Sequence, residues 1–157
     1  MFTKPKLIAA IASATIAAGT AFAGGHNASP EQQAAKARQA QMNLYGYNLG
    51  VLGAMAKGEA EFNADIAKGS AANLVALASM NQATYWPAGS DNASIEGTRA
   101  LPAIWEKSDE VFGYANALIE AATALEAASG DLDGVRAALG GVGKACGDCH
   151  KAFRAPR

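Results

Sequence analysis

Along most of this chain, apolar residues recur at steps of three or four, in four runs separated by polar or glycine-containing breaks. The first run opens on Ser29-Pro30-Glu31-Gln32, which reads as a helix start: an N-cap serine, proline at the first helical position, and glutamine placed to close a capping box. It predicts a helix from Pro30 to Lys57, stopped by Gly58. Two lines of residues share that helix. One holds Arg38, Met42, Gly46, Leu49 and Gly53; the other holds Leu44, Tyr47, Val51 and Met55. Gly46, Gly50 and Gly53 remove side chains and would let a cofactor or a second helix come close. A second helix is predicted from near Asn63, carrying Ile66, Leu74, Leu77 and Met80. A third follows Pro102, with Ile104, Val111, Phe112, Ala115, Leu118, Ile119, Ala122 and Leu125 on its apolar stripe, and breaks at Ser129-Gly130. The fourth starts around Asp131 or Asp133 and runs to about Arg154. Between the second and third lies a loop from Tyr85 to Arg99, rich in Gly, Ser, Asn and Pro. No segment alternates as a strand would. The pattern predicts an all-α chain, folded as an antiparallel up-down-up-down four-helix bundle.

The first 23 residues fall outside that pattern. Lys4 and Lys6 form a basic start, Leu7–Ala18 is apolar, and Ala21-Phe22-Ala23 is an A-x-A cleavage site. This is the make-up of a secretory signal peptide, and the apolar stretch is short for a bilayer span. The expected division is a leader over 1–23 and one domain over 24–157, exported to a bacterial periplasm and free of the membrane once cleaved. Without Lys4 and Lys6 the chain keeps 11 of its 13 basic residues against 14 acidic ones, a net charge of −3. No basic block or basic–aromatic interleaving points to nucleic acid.

The chemistry is concentrated in Cys146-Gly147-Asp148-Cys149-His150, which holds both cysteines and one of the two histidines. C-x-x-C-H is the attachment signature of a covalent c-type haem. At about 100° per residue, both thiols and the imidazole leave one side of a helix. Two sulfurs can then add to the haem vinyls while the adjacent histidine reaches iron. A redox C-x-x-C would sit near a βαβ pattern, which is missing. Half a zinc site would need ligands that only His26, just past the cleavage point, could supply. One covalent haem c is therefore expected, bound through Cys146 and Cys149, with His150 on the metal.

The motif lies seven residues from the end of the chain, and the stretch Gly143–Arg154 around it resembles the closing segment of the class II c-type cytochromes. Arg38-Gln39-Ala40-Gln41-Met42 is similar to the first-helix segment that contacts haem in cytochromes c′. Gly97–Trp105 is similar to that family's loop before the third helix. The resemblance implies that Arg38, Gln39, Thr98 and Arg99 lie around the haem edge or its propionates, although family members often carry an acid where Arg99 stands. A guanidinium suits a carboxylate at a buried edge. Arg154, one turn past His150, either opposes positive charge on the imidazole or complements the helix dipole. Trp105 and Phe153 read as packing. The family also implies a homodimer formed through the first two helices, here through the Leu44–Met55 line.

What the iron does depends on Met42. The resemblance places it at the distal position, where it either binds iron or covers an open coordination site. Iron with histidine alone takes small gases; iron with histidine and methionine carries electrons at a raised potential. Arg38-Gln39 resembles the five-coordinate branch, whereas Val51–Glu59 resembles the low-spin one. The expectation is a cytochrome c′-like protein binding NO or CO and able to transfer electrons, with the His/Met low-spin carrier as the alternative. Enzymatic O–O cleavage is not expected, because no distal histidine or acid–base pair is available.

Overall fold

Three of the four long helices begin where a side chain supplies a hydrogen bond that the first turn lacks. In the computed structural model, which describes residues 28–156, α1 spans Pro30–Lys57 behind the capping box formed by Ser29 and Gln32. Gly58 closes it at φ +78°, a left-handed conformation that glycine adopts without steric cost. Asn63 Oδ1 accepts from the backbone of Asp65 and Ile66, both at 3.0 Å, and starts α2 over Ala64–Ala78. A 3₁₀ turn over Ala83–Tyr85 opens the long connection. Asp131 caps α5, Leu132–Phe153, by accepting from Gly134 N–H at 2.8 Å. The leader, its cleavage site and His26 lie outside the described residues.

The third predicted helix is two. A short α3, Ala103–Glu106, precedes α4, Ser108–Ala128, and Lys107 between them has φ −124° and ψ 47°. The cause is tertiary. Trp105 Nε1 donates to the Trp86 carbonyl at 3.0 Å, and this anchors α3 to the loop while Lys107 absorbs the break. Met80 lies past the end of α2 and is exposed.

α1 packs beside α2 and α5, and α4 beside the same two, so the four long helices form a square, antiparallel bundle. Leu52, Met55, Leu74, Ala122, Leu125, Val135 and Val142 form its dry centre. Among the described residues no strand occurs; one antiparallel bridge joins Ala100 to Arg154. No described helix is long and apolar enough to cross a membrane.

The buried face of α1 takes Arg38 from the first line and Met55 from the second. The inward face is Ala34, Arg38, Gln41, Tyr45, Asn48, Leu52 and Met55. Met55 is 4% exposed and so leaves the proposed outer line, while Met42 is 41% exposed. Polar partners hold this face inward. Gln41 Nε2 donates to the Leu77 carbonyl at 2.8 Å, and Asn73 Nδ2 donates to Asn48 Oδ1 at 3.0 Å, tying α1 to α2. Nothing lies within 4 Å of a Cβ built on Gly46, Gly50 or Gly53, so no described helix approaches α1 there. Phe112, on the apolar stripe read from the sequence, is 65% exposed on α4.

Gly134 has a different reason to lack a side chain. A Cβ there would sit 2.1 Å from the Ala128 carbonyl oxygen, across the turn between α4 and α5. Gly134→Ala must push backbone against backbone, and overpacking of this kind costs about 1–3 kcal/mol. A fall of several degrees in thermal midpoint is expected, with about 4–8 °C per kcal/mol as the upper scale for small domains.

Candidate functional site

The last two turns of α5 present Cys146, Cys149 and His150 together, all partly buried. Both cysteines are free. Burial raises the Cys146 thiol pKa, and burial together with the neighbouring Cys146 raises that of Cys149, so both stay protonated near neutrality. Burial lowers the His150 pKa, with the charges of Arg154 and Arg99 adding to it. A neutral imidazole keeps a lone pair for a metal.

Tyr45 approaches from α1. It is 5% exposed, and Cys146 packs against the apolar cluster to which it belongs. Burial, and after it the charge at Cys146, pushes its phenol up to about 12, so it stays a neutral hydroxyl. One turn earlier, Gln41 Oε1 is buried with no hydrogen-bond partner among the described residues. Neither residue was singled out from the sequence. The signal was present in the spacing 38, 41, 45, 48, 52, but three polar side chains in that line hid it.

The loop wall is built by arginines. Arg38 is 5% exposed; its Nη1 donates to the Tyr85 carbonyl and to Ser90 Oγ at 2.8 Å, and its Nη2 donates to the Ser90 carbonyl at 2.6 Å. The guanidinium carbon also lies 4.6 Å from the Trp86 ring centre, a cation–π distance. Gln39 Nε2 donates to the Gly97 carbonyl. Thr98 Oγ1 accepts from Ala100 N–H at 3.3 Å. Arg99 Nε donates to the Ala155 carbonyl at 2.8 Å, and Ala155 N–H donates back to the Arg99 carbonyl at the same distance. Leu101 N–H to the Phe153 carbonyl, at 3.0 Å, completes the zip between this loop and the end of α5. Phe153 is buried edge-on to Tyr114 at 6.0 Å.

An open cleft of about 420 Å³ lies alongside, lined by Arg99, Gly147, His150, Lys151, Arg154 and Pro156. Of the residues singled out in the sequence, the structure therefore gathers His150, Arg99 and Arg154 at one place. Arg38 and Gln39 face the loop from α1, and Met42 lies off the buried line of that helix.

The donor set decides what this site can hold. No group of three or more His, Cys, Asp or Glu residues among those described could grip a bare metal ion. A macrocycle that brings four nitrogens of its own needs only one imidazole from the protein, and two vinyl groups answer two neutral thiols. The site fits haem c.

A family model described as cytochrome C′ matches residues 33–154, most of the described chain. The chain belongs to the cytochrome c′ family. A cytochrome c-554 of Cereibacter sphaeroides is 42% identical over 118 residues, spanning 74% of this chain and 89% of that protein. A solved cytochrome c′ with an unusual ligand-controlled dimer dissociation superposes with a TM-score of 0.74 at 30% identity, over 82% of this chain and 98% of its own. A ferrous variant of Alcaligenes xylosoxidans cytochrome c′ with bound NO gives 0.70 at 32% identity, over 82% and 97%. The protein is thus a c-type haem protein of this family, with covalent haem c as its cofactor and electron transport within its chemistry.

Proposed function

We propose that the protein is an exported cytochrome c′ whose haem iron takes one protein ligand, His150, and binds NO or CO at its other face. Cys146 and Cys149 make the thioethers, and the leader over 1–23 directs the chain to the periplasm, leaving one domain over 24–157. The bound haem supplies an iron able to bind a diatomic gas or to pass one electron. No organic substrate is turned over.

The observation that carries the one-ligand reading is the likeness to cytochromes c′, one of them solved with bound NO. On α1, Gln41 and Tyr45 occupy the inward face, while Met42 lies at the border of that face, 41% exposed. From that border the side chain can reach the iron's open side. The NO-bound relative supports gas binding. Arg38, Gln39, Thr98 and Arg99 shape the haem edge, since the first two bond the loop, the last two lie in it, and the loop is zipped to the end of α5. The optical spectrum tests the reading directly. A high-spin ferric haem with a broad Soret band is expected; sharp low-spin bands make the protein a His/Met electron carrier instead.

The same reading includes a homodimer. Leu44 and Tyr47 are 51% and 70% exposed on the outer side of α1, next to half-buried Val51, and Ile66 of α2 is 52% exposed. A two-fold axis would make this patch self-complementary. Val51→Glu is expected to give monomers that keep their haem, read by sedimentation. A wild type that sediments as a monomer at high micromolar concentration removes the dimer.

A further inference from the structure

Burying a polar atom without a partner is costly, so each such atom in a folded chain calls for an explanation. Buried Asn48, Ser90, Asp91 and Ser129 all find partners. Two atoms on α1 do not. Gln41 and Tyr45 are 4% and 5% exposed; Gln41 Oε1 accepts no hydrogen bond, and the Tyr45 hydroxyl makes none among the described residues. An acceptor and a donor, one helical turn apart on the inward face, are both left unsatisfied.

The Gln41 amide is not free to turn over. Its Nε2 donates to the Leu77 carbonyl at 2.8 Å, and a carbonyl offers no proton, so Oε1 has to face the other way. Tyr45 belongs to the core cluster against which Cys146 packs. Burial keeps its phenol protonated, and the charge at Cys146 adds to that, so the ring lies within electrostatic reach of this cysteine. Tyr45 also follows Met42 by three residues, which makes the two side chains neighbours on the helix surface. The phenol is flanked by the residue proposed to cover the iron and a residue proposed to tether the haem.

We propose that the Tyr45 hydroxyl is the hydrogen-bond donor to the diatomic gas on the haem iron, and that Gln41 Oε1 accepts from that hydroxyl when no gas is bound. The inference rests on the gas-binding reading given above. A bound CO or NO draws electron density from ferrous iron, and its outer oxygen becomes a better acceptor. Gln41 Oε1, one turn back, competes for the same O–H, directly or through one water. The proton stays on the tyrosine oxygen throughout; only its partner changes. Gln41 is then a positioning residue, acting on the gas through Tyr45.

Infrared spectroscopy of the ferrous CO holoprotein tests this. A donated O–H lowers the C–O stretch, and exchanging that proton for deuterium shifts it, so the wild-type band should move between light and heavy water. Tyr45→Phe keeps the ring and removes the donor. Its band should rise and lose the heavy-water shift, and CO should dissociate about three- to tenfold faster, the scale of one hydrogen bond. Gln41→Met keeps the length of the side chain and removes the competing acceptor. Its band should fall below that of wild type, and dissociation should slow about twofold or more. Opposite signs distinguish a donor and its competitor from two residues that merely pack, whose loss would move both variants the same way. The heavy-water comparison needs no substitution and stands if a variant fails to fold. A wild-type band indifferent to heavy water, or variants that shift it together or not at all, overturns the inference. A wild-type ferrous haem that takes up no CO overturns the gas-binding reading beneath it, a different result from a misassigned donor.

Discussion

Cys149→Ala is expected to leave exported protein with at most one thioether and a holoprotein yield reduced by about tenfold or more. The scale follows from coordination chemistry: losing a group that merely orients a metal ligand already costs roughly 10–100-fold in metal affinity. The two thiols and the imidazole share one side of α5, and both thiols are held neutral by burial. With Cys149 gone, only the Cys146 sulfur could tether the cofactor. His150→Ala should act differently. Both thioethers can still form, but the iron loses its protein ligand, so the mass includes haem while the spectrum changes. Intact mass of wild-type protein from a host able to attach haem should show one haem per chain. An unmodified wild-type mass would falsify the assignment of the motif.

The bundle itself was legible because its signals are local. Ser29, Asn63 and Asp131 cap their helices through bonds that span only two or three residues, and Gly58 supplies the left-handed stop. The haem motif was legible for the same reason: its spacing is set by one turn of one helix. Long-range bonds were invisible. Trp105 splits the third helix because its indole meets the Trp86 carbonyl, and no local signal in Glu106 or Lys107 announces that. The polar inward face of α1 was hidden for a related reason. Nothing local marks Arg38, Gln41 and Asn48 as inward, yet they are buried with bonds to Ser90, Leu77 and Asn73. Burial of a polar residue depends on a partner far along the chain, and only the assembled fold supplies it.

Met42→Ala should leave the resting haem high-spin and raise the rate of CO association about tenfold, the equivalent of about 1.4 kcal/mol from the barrier. Met42 is 41% exposed on α1, one turn from Arg38 and beside the inward pair Gln41 and Tyr45. Its thioether chain is flexible, and from the border of the buried face it can swing over the open side of the iron without being fixed there. As a cover it must be displaced by an entering gas, so on that reading truncation should speed entry and leave the His150 side unchanged. The opposite arrangement predicts a different set of results. A methionine bound to iron stabilises the ferrous state, so the same substitution would convert low-spin haem to high-spin and lower the reduction potential. Flash photolysis of the CO complex and the ferric spectrum of wild type and variant separate the two cases. Faster CO binding with no change of spin state makes Met42 a cover; loss of low-spin bands with a fall in potential makes it a ligand, and the protein an electron carrier.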